Sequence, residues 1–364
     1  MKIGIFYDSL ISIGGAERVM IDLANRLNAD LVVSGFNNDL RKETRIECDI
    51  IDIGNYSWKF SRTFSYLLEV PFRFFITKRK FDYDLYIFSG VSSIFGSIDK
   101  NNNLWFSHTP NRLIYDLSNY ENKNSNLIRK LVIKAYSKFF LRKDQKCVIQ
   151  NMKKIIVNSK NVKKRVKEYY DKNSIVIYPP IKTEDFRFNK FGDFYLAVSR
   201  LFPTKRMDLI ARAFAKMPNK KLTLVGDGPE KNKILDIIKD SPNIKLLDRV
   251  DDKELINLYS NCLATIYMPV DEDFGLVPLE GMASGKPCIA VNEGGCKETV
   301  LPDRTGFLIK ATEKEIIKTV KTLDKNRAKK MKLDCINQAK KFDIEECIKK
   351  WSKIVNETKT KIKH

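Results

Sequence analysis

The sequence predicts an α/β fold of two Rossmann-like domains, each built on a parallel sheet. Three observations predict it. Short apolar runs alternate with amphipathic stretches of helical spacing almost from end to end, and strands separated by helices form parallel sheets through right-handed crossovers. At 364 residues the chain exceeds what one hydrophobic core usually supports. The pattern breaks at Tyr178-Pro179-Pro180-Ile181, where two prolines exclude helix and favour an extended linker.

In chain order, the expected strands of the first domain are Ile3–Tyr7, Leu31–Ser34, Cys48–Ile53, Leu85–Phe88, Leu104–Ser107, Ile155–Asn158 and Ile175–Tyr178. The second series is Tyr195–Ser199, Leu222–Val225, Ile244–Leu247, Ala264–Tyr267, Cys288–Val291 and Gly306–Ile309. Helices are expected at Ala16–Leu27, Asn126–Lys143, Val162–Tyr170, Met207–Lys216, Lys231–Lys239 and Lys253–Tyr259. The stretch Phe342–Trp351 places Ile344, Ile348 and Trp351 on one face of a terminal amphipathic helix. The expected domains are therefore 1–180 and 181–341, followed by a helix in 342–364. Ligands of open parallel sheets bind outside the carboxyl ends of the strands, so a cleft between two facing domains is the expected site.

With 43% hydrophobic and 30% charged residues the chain is globular rather than disordered. No apolar run has the length needed to span a bilayer, and the start reads as a buried strand rather than a signal peptide. Seven cysteines at scattered positions show neither metal spacing nor a disulfide framework, which fits a reducing cytoplasm. Net charge is +21 and unevenly spread. Residues 123–172 hold sixteen lysines and arginines against three acids, whereas residues 1–122 are close to neutral. Such a field attracts polyanions. Nucleic acid is disfavoured, because the window lacks recognisable nucleic-acid signatures. An anionic membrane surface and a merely lysine-rich exterior both remain open.

The densest motif is Asp271-Glu-Asp-Phe-Gly-Leu-Val-Pro-Leu-Glu280. Glu272 and Glu280 stand with seven residues between them, around a glycine turn that feeds a helix near Pro278, a residue suited to the first helical turn. The amides of Phe274, Gly275 and Leu276 then sit at the helix's positive end, which attracts anions. A carboxylate on either side can grip a vicinal diol. Downstream, Gly294-Gly295-Cys-Lys-Glu298 follows a strand.

As one continuous stretch, this segment resembles the E-x7-E signature of the family 4 glycosyltransferases, which have the GT-B fold. Other motifs carry the same resemblance. Arg200 and Lys205, in Arg-Leu-Phe-Pro-Thr-Lys-Arg206, are similar to the family's Arg-x4-Lys phosphate clamp; positive charge there meets the charge that develops on a departing diphosphate. Many members have glycine where Arg206 stands, and the mannosyltransferase-like branch often carries arginine there. Gly226-Asp-Gly228 closes a strand, either to let backbone approach a ligand or simply to make the turn. Arg249 and Val250 match the place where the family grips the nucleotide base. In the first domain, Gly14-Gly15-Ala-Glu-Arg18 follows strand one and resembles a motif whose glycines lie near the donor phosphates. Asp8 just before it suits an acceptor contact or a cap equally. His108, in His-Thr-Pro110, ends a strand, and its family counterpart lies against the transferred sugar.

The resemblance implies a retaining hexosyltransferase, closest in motif style to GDP-mannose-dependent mannosyltransferases of polysaccharide and lipid-linked glycan assembly. It assigns the first domain to the acceptor side and the second to the nucleotide-sugar donor, with the last helix crossing back to the first domain. Expected roles are His108 and Glu272 in catalysis; Gly14, Gly15, Arg200, Lys205, Gly226, Arg249, Val250, Phe274, Gly275, Leu276 and Glu280 in donor binding. No cofactor is expected beyond the donor substrate, GDP-mannose favoured, and the acceptor is a glycan, lipid-linked by preference. Asp82-x-Asp84 and Asp271-x-Asp273 look like the metal motif of a different glycosyltransferase architecture, but the clamp already supplies positive charge and no metal is expected. The rivals are a nucleotide-sugar epimerase of the same build and a basic nucleic-acid-binding protein. Finally, the aromatic stretch Trp58–Lys80 with its basic end reads as a buried core helix or as an interfacial segment at the cytoplasmic membrane face.

Overall fold

A computed structural model of the chain describes residues 1–54, 62–77, 79–97, 102–115, 138 and 140–362. The chain divides into two units, Met1–Tyr178 with Ile348–His364, and Pro179–Cys347. Each is built on one parallel sheet with helical crossovers, as the alternation of elements requires.

The first unit carries β1 (Ile3–Tyr7), β2 (Asp30–Val33), β3 (Ile50–Asp52), β4 (Leu85–Ser89), β5 (Asn103–Ser107), β6 (Lys154–Val157) and β7 (Ile175–Val176), in the order β3-β2-β1-β4-β5-β6-β7. Residues of β1, β4 and β5 are buried throughout, as expected of central parallel strands covered on both faces. Helix Gly15–Leu27 packs Val19, Met20, Ile21, Leu23 and Ala24 inward and stops at Asn28, whose φ of 49° is left-handed. Such a residue commonly ends a helix. The terminal helix runs from Ile344 to Ile362. Its start is fixed in the second unit, where Ile344 donates to the Ile181 carbonyl at 3.1 Å. Further along it belongs to the first, where Trp351 meets the Phe106 ring edge-on at 5.0 Å.

The second unit carries β8 (Phe194–Val198), β9 (Lys221–Val225), β10 (Ile244–Leu247), β11 (Ala264–Tyr267), β12 (Cys288–Val291) and β13 (Gly306–Ile309), in the order β10-β9-β8-β11-β12-β13. Strand order reverses between β8 and β11, and ligands of doubly wound sheets bind at that switch point. Two of the unit's longer helices, Glu313–Thr322 and Lys325–Lys340, were not anticipated. They begin at Thr312 and Asp324, whose side chains accept from the backbone amides of Glu315 at 3.3 Å and Arg327 at 2.7 Å. Most of the expected helix Asn126–Lys143 lies outside the described residues, as does the first part of the basic window. Among the described residues no helix is long and apolar enough to cross a membrane.

Candidate active site

Two loops of the second unit, one after β8 and one after β11, are tied together on either side of the switch point. The first turns through Pro203–Lys205, closed by the Lys205 amide donating to the Phe202 carbonyl at 2.8 Å. The second begins at Val270, whose amide donates to the Thr204 carbonyl at 2.8 Å. This join brings Lys205 and Glu272 into contact, with Nζ 2.5 Å from Oε2 and both side chains about four-fifths buried. The acid and the cation expected to share one ligand are thus in direct contact.

The loop holding Glu272 is braced from the far side by the turn after β12. The Gly295 amide donates to the Glu272 carbonyl at 2.7 Å. A Cβ on Gly294 would lie 2.6 Å from the Glu272 nitrogen, and one on Gly295 would lie 2.6 Å from the Asp273 carbonyl oxygen. The two glycines are therefore required by close packing of backbone on backbone. Tyr267, at the end of β11, is hydrogen-bonded to Glu272; burial first, then the charges of Glu272 and Glu280, hold its phenol well above the ordinary value. Tyr267 also lies against Gly275, whose added Cβ would meet the ring at 2.9 Å.

Helix Val277–Ala283 begins just after this turn, with Leu276 as its cap and Pro278 in its first turn. Among the described residues the amides of Gly275 and Leu276 have no protein acceptor. Phe274 is buried against Phe342, ring centroids 5.5 Å apart. One turn into the helix, Glu280 accepts from the buried Tyr259 phenol at 2.6 Å. Desolvation and the Glu280 charge raise that phenol's pKa well above its usual value, so the contact persists at any physiological pH. Arg200 is exposed, over the Phe202 ring at 5.7 Å, and has no carboxylate partner among the described residues.

Close packing accounts for both glycines after β9. A Cβ on Gly226 would overlap the Ser199 carbonyl, and one on Gly228 would lie 2.6 Å from the Leu201 carbonyl oxygen. These glycines let the β9 loop press on the Arg200 loop, locked by Leu201 donating to the Asp227 carbonyl at 2.9 Å. Arg249 is exposed, and Val250 packs on the cluster of Leu196, Val225, Tyr259 and Cys262.

In the first unit, Gly14 and Gly15 open helix Gly15–Leu27. The Gly14 amide donates to Glu17 Oε2 at 2.9 Å, while the Tyr7 phenol donates to Oε1 of the same carboxylate at 2.9 Å. Asp8 acts as a cap: its carboxylate accepts from the amides of Val91, Ser92 and Ser93 at 2.9, 2.9 and 2.7 Å. His108 packs against Phe106, the ring centroids 4.7 Å apart and the planes tilted by 51°. The residue keeps some exposed surface, but its Nε2 is shut off from solvent with no partner among the described residues. Desolvation lowers its pKa from 6.5 to about 4, so the imidazole is neutral at physiological pH. Asp84 accepts from the Lys2 amide at 2.7 Å, and no described cluster of His, Cys, Asp and Glu has the grouping of a metal site.

Residues 180–342 match the family model described as "Glycosyl transferases group 1". Within that span the chain is similar to the group 1 glycosyltransferases. The chain is 28% identical to the Dictyostelium discoideum alpha-1,3/1,6-mannosyltransferase ALG2, over 86% of this chain and 87% of that one. A Corynebacterium glutamicum enzyme, GDP-mannose-dependent monoacylated alpha-(1-6)-phosphatidylinositol monomannoside mannosyltransferase, is 33% identical over 32% of this chain and 33% of its own. The fold matches that of Anabaena HepE, solved in complex with UDP and glucose, at a TM-score of 0.77 and 18% identity, covering 98% and 99% of the two chains. The architecture is GT-B.

Three supporting residues escaped the sequence reading. Tyr259 and Tyr267 sit in ordinary apolar strand and helix patterns, so nothing marks their phenols as facing carboxylates. Glu293 precedes the paired glycines and accepts from the Asp271 amide at 3.2 Å.

Proposed function

We propose that this glycosyltransferase moves mannose, with retention of configuration, from GDP-mannose to a hydroxyl of a lipid-linked glycan. One observation carries the reading: Lys205 and Glu272 meet at the carboxyl ends of β8 and β11, beside acceptor-free amides at Gly275 and Leu276. A diphosphate next to a polyhydroxylated sugar satisfies all of these groups at once. In this reading Arg200, Lys205 and the two amides stabilise the leaving diphosphate, the largest demand of glycosyl–phosphate cleavage. Glu280 holds the ribose diol and Glu272 the sugar hydroxyls. Arg249 and Val250 border the base, Gly226 shapes the loop behind Arg200, and Gly14 and Gly15 line the donor phosphates. His108, neutral at physiological pH, contacts the transferred sugar as a hydrogen-bonding group rather than a cation. The departing phosphate accepts the acceptor hydroxyl's proton in a front-face displacement. Two relatives named for mannose transfer, one of them for GDP-mannose, support the choice of donor.

The acceptor side of the reading adds an anionic membrane surface at its cytoplasmic face. On helix Arg62–Thr77, Val70, Phe74 and Thr77 are buried while Phe72, Phe75 and Ile76 are 61%, 51% and 54% exposed. Arg79 and Lys80 follow, both exposed. The unit that holds them counts 36 lysines and arginines against 19 acids, +17 of the total +21. Apolar side chains within basic surroundings are what an anionic bilayer retains.

The test is a melting-temperature panel with GDP-mannose, UDP-glucose, UDP-N-acetylglucosamine and the parent nucleotides, because a ligand of the folded state raises the midpoint. GDP-mannose giving the largest rise supports the donor assignment; a larger rise with a UDP-sugar overturns it. Interconversion of free nucleotide-sugars without acceptor would favour the epimerase reading. Sedimentation with anionic liposomes, lost in Phe72→Ser/Phe75→Ser or at high salt, supports the membrane assignment. Indifference to lipid charge, salt and substitution removes it.

A further inference from the structure

Arg206 is the residue after the clamp lysine, and its backbone is left-handed, at φ 51° and ψ 35°. A non-glycine residue there costs on the order of 1 kcal/mol, and glycine would adopt the conformation freely. Arg206 nonetheless occupies the position, and its guanidinium has a specific partner. Nη1 donates to both oxygens of Glu293, at 3.0 and 3.2 Å. The same Glu293 carboxylate accepts the Asp271 amide at 3.2 Å through Oε2. Asp271 is itself left-handed, at φ 39°, and directly precedes Glu272.

Glu293 therefore joins the residue next to Lys205 to the residue next to Glu272. We infer that the Arg206–Glu293 pair is a positioning device that sets the separation of Lys205 and Glu272 for transfer; the inference rests on the roles proposed above for those two residues. Three loops meet through it: the clamp turn after β8, the acidic turn after β11 and the glycine turn after β12. Backbone bonds secure the outer joins, Val270 to Thr204 and Gly295 to Glu272. The Glu293 side chain, on the third loop, bonds to both of the others. Neither Arg206 nor Glu293 is asked to touch the donor. Both act through the backbone of their neighbours, and a shift of about 1 Å in a reacting group can lower turnover about a hundredfold.

Arg206→Gly separates this role from a merely stabilising one. Glycine relieves the left-handed backbone, so the variant melts close to the parent temperature while the side-chain link is gone. We expect kcat to fall about tenfold to a hundredfold, with the donor KM within about threefold, because alignment rather than ground-state affinity is lost. Glu293→Ala should behave alike. Glu293→Gln, which still accepts the Asp271 amide, should recover part of kcat, and Arg206→Lys part as well. Lys205→Ala and Glu272→Ala are measured alongside. If those two are inactive while Arg206→Gly and Glu293→Ala turn over at the parent kcat, the positioning role is wrong and the site assignment stands. Normal turnover by Lys205→Ala and Glu272→Ala would remove both together.

Discussion

Replacing Gly295 by alanine tests how the acidic loop is held, and its size can be worked from distances. Gly295 has an ordinary right-handed φ of −68°, so alanine meets no backbone penalty there and the effect is purely steric. The new methyl would overlap the Phe274 Cα most closely and would lie 2.6 Å from the Asp273 carbonyl oxygen and 2.7 Å from that of Phe274. To restore an ordinary contact of 3.4 Å, the Asp273–Phe274 backbone must retreat by about 1 Å. These neighbours are backbone atoms, which cannot swing aside as a side-chain tip can. Overpacking of this kind costs about 1–3 kcal/mol. At about 2–4 °C per kcal/mol for a domain of this size, the midpoint should drop by roughly 2–12 °C. The same displacement moves Glu272, adjacent to Asp273, relative to Lys205, so kcat should fall toward a hundredfold. Calorimetric melting and initial transfer rates, below the variant's own transition, measure both. A Gly295→Ala protein with the parent midpoint and rate would show that the turn after β12 does not brace the acidic loop.

Other expectations follow from buried ionisable groups. His108 has its pKa lowered from 6.5 to about 4 by desolvation. Below pH 6.5 the unfolded chain takes up a proton that the folded chain refuses, so stability is lost as pH falls from about 6.5 to about 4; His108→Gln should flatten that part of a melting-temperature profile. The proposed neutral His108 also predicts transfer rates with no inflection near pH 6.5. Lys286 is buried, its Nζ bonded to the Lys190 carbonyl and 4.3 and 4.7 Å from the Phe188 and Phe191 centroids. Desolvation lowers its pKa from 10.5 to about 8, so its stability contribution is greatest above pH 10.5 and is lost as pH falls to 8. Lys286→Met should therefore compare more favourably with the parent at pH 7 than at pH 10 in paired melts.

The fold was legible because both sheets announce themselves. All thirteen expected strands are present, each end within two residues of the expected one, since a central parallel strand must be an unbroken apolar run. Helices Glu313–Thr322 and Lys325–Lys340 were missed because lysine dominates their outer faces and dilutes the apolar period; the capping residues Thr312 and Asp324 were the better signal. At the site, Lys205 and Glu272 were legible through motif spacing, and they prove to be in contact. Asp8 was legible only as two alternatives, because a carboxylate after a strand reads the same whether it faces ligand or caps amides. Three amides 83 to 85 residues away, those of Val91, Ser92 and Ser93, decide it. Glu293 left no trace at all. Its partners, Arg206 and the Asp271 amide, are 87 and 22 residues away, and sequence spacing carries no record of a contact closed by tertiary packing.

The contact between Lys205 and Glu272 also fixes the sign of an effect that intuition would reverse. Lys205 has an anionic partner at 2.5 Å, in a setting where water screens the pair poorly. On the roles proposed above, a nucleoside diphosphate lacking its sugar draws Lys205 away from Glu272 and offers the carboxylate nothing in return. On the same roles, the complete donor offers the carboxylate its sugar hydroxyls. Glu272→Gln keeps the shape and hydrogen-bonding capacity of the side chain but removes its charge. It should bind the bare nucleoside diphosphate severalfold more tightly than the parent, while transfer falls by two orders of magnitude or so. Lys205→Ala should lose diphosphate affinity outright. Isothermal titration with GDP and UDP, set beside transfer rates for the same proteins, measures both halves. Weaker diphosphate binding by Glu272→Gln would mean that the carboxylate helps to hold the phosphates instead of competing with them, and the division of labour between phosphate and sugar would have to be redrawn.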